Sequence, residues 1–216
     1  MLKKTGYYVD INKLQSQFNS IGKFSINLPT GDRFYDPWVI KEEFKNTVWE
    51  EIISVFKFPI GEARIIVLEK GTCYQRHADI DDRYHLNISG NHSYLCDLHN
   101  IKMYELVKDG YWYKMDASLP HTAINAGSLD RAQLVVRELL TNNNLEDPAK
   151  VSIKGSGYNL RYIFDGTFSP WLNQANKKGI INNFSHDEKS ATFNVEKGYV
   201  NNLQDMLPTG FTLEIL

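Results

Sequence analysis

The segment Tyr74-Gln75-Arg76-His77-Ala78-Asp79 sets an imidazole and a carboxylate two residues apart. On an extended chain, side chains at i and i+2 share a face, so His77 and Asp79 point one way and Ala78 the other. An imidazole nitrogen and a carboxylate oxygen both suit Fe(II), and two such groups fill neighbouring coordination positions. A third donor on the same side leaves three positions open for substrates. This is the 2-His-1-carboxylate arrangement of non-haem iron oxygenases. His121, in Leu119-Pro120-His121-Thr122-Ala123, is the expected third ligand. Pro120 holds the residue before it extended, and the interval from Asp79 is long enough for the chain to return across a sheet. Asp81 is the rival carboxylate, but i and i+4 on a strand lie too far apart for His77 and Asp81 to share one ion easily.

Arg131 follows His121 by ten residues, after a turn at Ala126-Gly127-Ser128. A return strand brings it beside the metal pocket, where its guanidinium can grip a carboxylate bidentately, as Lys cannot. Arg137 shares a strand face with Arg131 by parity; it reads as a surface charge or as a contact to a substrate carboxylate. Arg76 has the opposite parity to His77 and is expected to face away from the metal. His92, after Gly90-Asn91, and His99, before Asn100, read as solvated turn residues, and His186 as a surface residue. His85 reads equally as a core histidine or as a ligand contact. Tyr111, Trp112 and Tyr113 are expected to pack in a sheet; only Lys108 and Lys114 accompany them, too little charge for a nucleic-acid platform.

The elements that must position these groups are mostly strands. Arg64–Glu69, Tyr84–Ile88, Tyr94–Leu98, Lys102–Val107, Tyr111–Met115 and Ala132–Leu139 are β-rich runs separated by turns, a spacing that suggests a sandwich or barrel. Asp109-Gly110 predicts a hairpin between the fourth and fifth of these runs, because glycine takes positive φ cheaply. Before them, Trp38, Phe44, Val48, Ile52 and Phe56 recur near helical spacing, with charged residues between. Pro37 suits a first helical turn, so the spacing predicts a helix ending by Pro59-Ile60-Gly61. Residues 141–150 form a polar loop. Residues 151–216 carry aromatics (Tyr158, Tyr162, Phe164, Phe168, Trp171) without long periodicity. They are expected to be an extension on the core of a single domain spanning 1–216, with that core at about 36–140.

Net charge is −2, and 23% of residues are charged. Nothing in that balance attracts nucleic acid or anionic membrane, and no apolar run is long enough to span a bilayer. The N-terminus lacks the apolar stretch of a signal peptide, so a cytoplasmic protein is expected. Cys73 and Cys96 then read as reduced, buried thiols.

His77-x-Asp79, His121 and Arg131 together resemble the Fe(II)- and 2-oxoglutarate-dependent dioxygenases. More narrowly, Arg83-Tyr84-His85-Leu86, Pro120-His121-Thr122-Ala123-Ile124-Asn125-Ala126-Gly127 and Arg131-Ala132-Gln133-Leu134-Val135-Val136 are similar to the aspartyl/asparaginyl β-hydroxylase branch, which includes free proline hydroxylases. The resemblance covers residues 62–140. It implies a mainly β, α+β fold whose core is a double-stranded β-helix, the jelly-roll or cupin-like architecture, with flanking helices. It also implies Fe(II) on His77, Asp79 and His121, with 2-oxoglutarate held by Arg131 and, near its 2-oxo acid end, by Arg83 and His85. O2 is the further cosubstrate, and ascorbate a supporting reductant. The implied reaction is hydroxylation of an amino acid, free or within a peptide. Two rival readings use the same barrel. One is a cupin-like module that binds a metal or small ligand without catalysis. The other is an isomerase or hydrolase using Zn or Mn, in which His85 or another histidine joins the metal.

Overall fold

In the computed structural model, which describes residues 2–15, 23–155, 168–187, 189–207 and 209–216, the chain is mainly β, with antiparallel sheets and short helices. In chain order the strands are β1 Leu2–Tyr8, β2 Phe24–Ser25, β3 Asn27–Pro29, β4 Trp38–Ile40, β5 Ile60–Leu68, β6 Thr72–Cys73, β7 Arg83–Ser89 and β8 Ser93–Asp97. They continue with β9 Lys102–Glu105, β10 Tyr111–Met115, β11 His121–Asn125, β12 Arg131–Glu138, β13 Pro148–Gly155, β14 Ile181–His186, β15 Ser190–Glu196 and β16 Phe211–Ile215. The α-helices are α1 Asn12–Gln15, α2 Val48–Ile53, α3 Phe168–Lys177 and α4 Val200–Met206. No helix among the described residues is long and apolar enough to cross a membrane. Two compact units form, one from residues 1–76, 81–117 and 121–139, the other from residues 77–80, 118–120 and 140–216.

The first unit holds a six-stranded sheet in the order β1-β10-β7-β12-β5-β2, a four-stranded sheet in the order β6-β11-β8-β9, and the pair β3-β4. Alternation of side chains sorts the large sheet into two unlike faces. Ala63, Ile65, Tyr84, Leu86, Ile88, Trp112, Leu134 and Val136 point to one side and pack with Trp49, Ile52 and Phe56 of the α2 region. The other side faces the smaller sheet, and Leu68 and Met115 meet Leu95 and Ala123 there. That inner face also carries Arg131, Gln133, Val135 and Arg137 of β12, and Arg83, His85 and Asn87 of β7; Gln133, Val135 and Arg137 stand opposite Asn87, His85 and Arg83, and Arg131 opposite Leu68 of β5. Seven of the eight residues of β12 are buried, so the strand is covered on both faces although one of them is polar.

The helix expected from Asp36-Pro37 to Phe56 is instead broken into three pieces. Trp38, Val39 and Ile40 pair with Pro29, Leu28 and Asn27 as a strand. Glu42–Phe44 is a single 3-10 turn, and Asn46 at φ 57° stops the helical path. Thr47 then caps α2, its hydroxyl accepting the Trp49 N–H. The apolar spacing was real, but strand pairing and the cap decide where the helix lies.

The Asp109-Gly110 turn forms, with Gly110 at φ 79°, yet it does not close a hairpin. β9 pairs with β8, whereas β10 pairs with β7 and β1, so the turn passes from one sheet to the other. Asp109 accepts from Lys4 Nζ at 2.7 Å, the Tyr111 N–H and the Tyr113 hydroxyl, and Gly110 O accepts the Val9 N–H. Those bonds tie the turn to β1 in place of a hairpin partner. Cys96 is buried as expected. Cys73 is exposed, because β6 is a two-residue strand at the sheet edge.

The second unit contains a sheet in the order β14-β15-β13-β16. Ala191, Phe193 and Val195 alternate on the buried face of β15, opposite Ile153, Val151 and Ala149 of β13. The sequence reading assigned no elements here. Tyr158, Tyr162 and Phe164 lie outside the described residues.

Candidate metal centre

His77 makes an isolated β-bridge, and Asp79 follows in open chain. The i, i+2 relation still holds: Ala78 and Ile80 are buried, while His77 and Asp79 are half-buried on the opposite side. His77 Nε2 and Asp79 Oδ2 stand 3.8 Å apart. Within the same unit, Asn173 of α3 donates its Nδ2 to Ile80 O at 3.0 Å, fixing the segment from the buried side. His121 opens β11 opposite Asp97 and is buried on the side shared with Ala123 and Asn125. One ligand atom from each of His77, Asp79 and His121 lies within 4.8 Å of the others, a group able to hold a metal ion. Two imidazoles and one carboxylate suit a first-row divalent ion, and a three-donor set leaves positions for other ligands.

Arg131 is 1% exposed, yet its Nε and Nη1 have no hydrogen-bond partner. Its Cζ lies 5.6 Å from the Tyr74 ring centroid. Burial lowers its pKa below the ordinary guanidinium value, with Tyr74 acting in the opposite sense. His85 is also buried, with neither ring nitrogen in a well-formed hydrogen bond, although Gln133 stands close enough to raise its pKa. Burial first, then the charges of Arg83, Arg131 and the nearby His121, push its pKa down to about 3, so it stands neutral. Gln133, whose Nε2 is equally unsatisfied, shares this face. Buried donors left unpaired cost roughly 1–3 kcal/mol each.

The other sequence candidates fall as follows. Arg83 lies on the inner face of β7, and its Nε donates to Asp81 Oδ1 at 3.1 Å. Asp81 also takes Arg137 Nε on Oδ2 at 2.6 Å, with Arg137 Nη2 on the same oxygen. The rival carboxylate is therefore bound to two guanidiniums and stands outside the metal group. His92, His99, His186 and Arg76 are exposed. Trp112 is wholly buried, and Tyr113 bonds Asp109, so these aromatics are sheet packing. Gln133, Tyr74 and Arg33 were not singled out beforehand. Parity from Arg131 would have found Gln133; nothing local points to the other two.

No family model matches the chain, and no curated protein does. Among solved structures it is similar to CapF, determined with the inhibitor 3-isopropenyl-tropolone, at 14% identity and a TM-score of 0.32. The match spans 53% of this chain and 31% of that one.

Proposed function

We propose that the chain is an Fe(II)- and 2-oxoglutarate-dependent oxygenase on a double-stranded β-helix, of the aspartyl/asparaginyl β-hydroxylase-like kind, hydroxylating an amino acid or a residue in a peptide. The observation that carries the reading is Arg131. A buried guanidinium with two unpaired nitrogens is costly unless an acid completes it, and it shares an inner face with His85 while His121 is close enough to act on that ring. His77, Asp79 and His121 hold the metal, which when bound supplies the oxidation of a C–H bond with O2. Arg131 takes the distal carboxylate of 2-oxoglutarate. His85 flanks the 2-oxo acid end as a neutral imidazole that can donate one hydrogen bond without adding charge, and Arg83 lies beyond it, opposite Arg137 and bonded to Asp81. The apolar floor of Leu68, Leu95 and Ala123 limits water.

Purified protein is expected to bind Fe(II) and 2-oxoglutarate and, with ascorbate, to release succinate slowly even without substrate. His77→Ala is expected to lose iron, and Arg131→Ala to weaken 2-oxoglutarate at least tenfold with iron retained. If both variants bind both ligands as the parent does, the reading fails. Iron binding whose spectrum ignores 2-oxoglutarate leaves a metal-binding module in its place.

A further inference from the structure

The inner face of β12 carries a second arginine. Arg137 lies six residues beyond Arg131, about 20 Å along an extended strand. It stands directly opposite Arg83 of β7. Like charges facing across neighbouring strands repel, and these are inside: the Arg137 side chain is 6% exposed and that of Arg83 is 14%. Asp81, 2% exposed, answers both with its two oxygens.

A third guanidinium joins from the loop between β3 and β4. The Phe34 ring is buried, with Arg137 Cζ 4.7 Å from its centroid and Arg33 Cζ at 5.2 Å. The loop is built to hold this pose. Asp32 Oδ1 accepts the N–H groups of Phe34 and Tyr35, and Asp36 Oδ2 accepts that of Asp32 at 2.7 Å. Among the described residues no carboxylate pairs with Arg33. The charges facing it are Arg137 and Arg83, against Glu62 and Asp81. Glu62 is already held by Ser25 and by Arg64, and Asp81 is saturated by the other two arginines. Burial and Arg137 accordingly lower the Arg33 pKa.

We propose that Arg33 and Arg137 form the subsite for a carboxylate of the substrate, with Asp81 holding Arg137 and Arg83 in position, so that the substrate is a free amino acid and not an internal residue of a peptide. The proposal rests on the oxygenase reading and narrows its substrate class. Two acids then lie along one inner face, toward opposite ends of β12: the cosubstrate at Arg131 and the substrate at Arg137. His85, level with Val135, lies between them. A planar fork recognises a planar carboxylate in two contacts, and three guanidiniums against the single carboxylate of Asp81 leave positive charge for an incoming acid.

The test uses the whole chain with Mn(II), which binds like Fe(II) without turning over, and 2-oxoglutarate. Thermal unfolding is followed against each protein L-amino acid, once as the free acid and once as the carboxamide. At least one free acid is expected to raise Tm by several degrees, and its amide to raise it not at all. Arg33→Ala, on an exposed loop residue, is expected to weaken that acid at least tenfold while leaving the Mn(II) and 2-oxoglutarate response intact. No responsive acid, equal response to acid and amide, or unchanged affinity in Arg33→Ala overturns the subsite. The oxygenase reading fails separately: a protein that ignores 2-oxoglutarate but still separates acid from amide through Arg33 loses its cosubstrate and keeps its subsite.

Discussion

At the scale of single residues, His85 carries the clearest pH consequence. Its pKa is about 3 in the folded chain against 6.5 for the unperturbed group, with burial the main cause. The unfolded chain therefore binds a proton that the folded chain refuses, and stability falls as pH drops below about 6.5. The loss is about 2 kcal/mol by pH 5. Urea unfolding of the parent and His85→Gln at pH 7 and pH 5 measures it: the parent is expected to lose that much more than the variant, and parallel losses refute the assignment. Arg131→Lys keeps a positive charge and gives up the fork. It is expected to bind 2-oxoglutarate about tenfold or more weakly, with metal affinity unchanged, by calorimetry. The clustering of His77, Asp79 and His121 was legible because residue type and spacing suggested it. The bridging of Arg83 and Arg137 by Asp81 was not. Asp81 read only as a rival metal carboxylate, and the bridge depends on a strand register that sets Arg83 opposite Arg137.

At the scale of elements, two contacts set where these groups sit. Gly90, at φ 108° between β7 and β8, leaves room for the backbone of Arg131: a Cβ there would stand 3.0 Å from Arg131 Cα. Gly90→Ala is expected to cost about 1–3 kcal/mol in denaturant titrations and to weaken 2-oxoglutarate by displacing Arg131. Asn173 of α3 holds Ile80 O and with it the segment bearing His77 and Asp79. Asn176, one turn along, instead clasps the backbone of Thr141 through both amide atoms. Asn173→Ala is expected to reduce Co(II) affinity about tenfold, as losses of outer-shell support do. Asn176→Ala should cost stability without that loss; equal metal affinity in the two variants refutes the positioning role. The sequence revealed β5, β7, β8, β10 and β12 because each is a β-rich run bounded by turns. It misplaced the 37–56 helix, where the β4 pairing and the Thr47 cap override an apolar spacing. It joined β9 to β10 across Asp109-Gly110, since a turn signal does not say which sheet receives the next strand. In β13 to β15 the alternation is present but is diluted by asparagine and lysine.

For the molecule as a whole, the division of labour between its cations is informative. Of seven arginines in the sequence, Arg64, Arg83, Arg131 and Arg137 lie on the inner face of the large sheet, and Arg33 and Arg137 both lie against the Phe34 ring. Lysine, which outnumbers arginine at seventeen to seven within the 24 basic residues, supplies surface pairs such as Lys13–Glu51, Lys45–Glu42 and Lys154–Glu214. A net charge of −2 thus conceals an interior rich in guanidinium groups. On the oxygenase reading proposed above, an acid completes this interior, so ligand and fold are linked. Bound only by the folded chain, 2-oxoglutarate at about a hundred times its Kd adds about 2.7 kcal/mol, or a Tm rise of about 5–10 °C for a chain of this size. The comparison that isolates Arg131 is Mn(II)-loaded parent against Mn(II)-loaded Arg131→Ala, each with 2-oxoglutarate or with sodium chloride of matched ionic strength. The parent is expected to respond to 2-oxoglutarate alone, and the variant to neither. A rise that salt reproduces, or that survives the loss of Arg131, would place the effect on the surface charges and not on the inner face of β12.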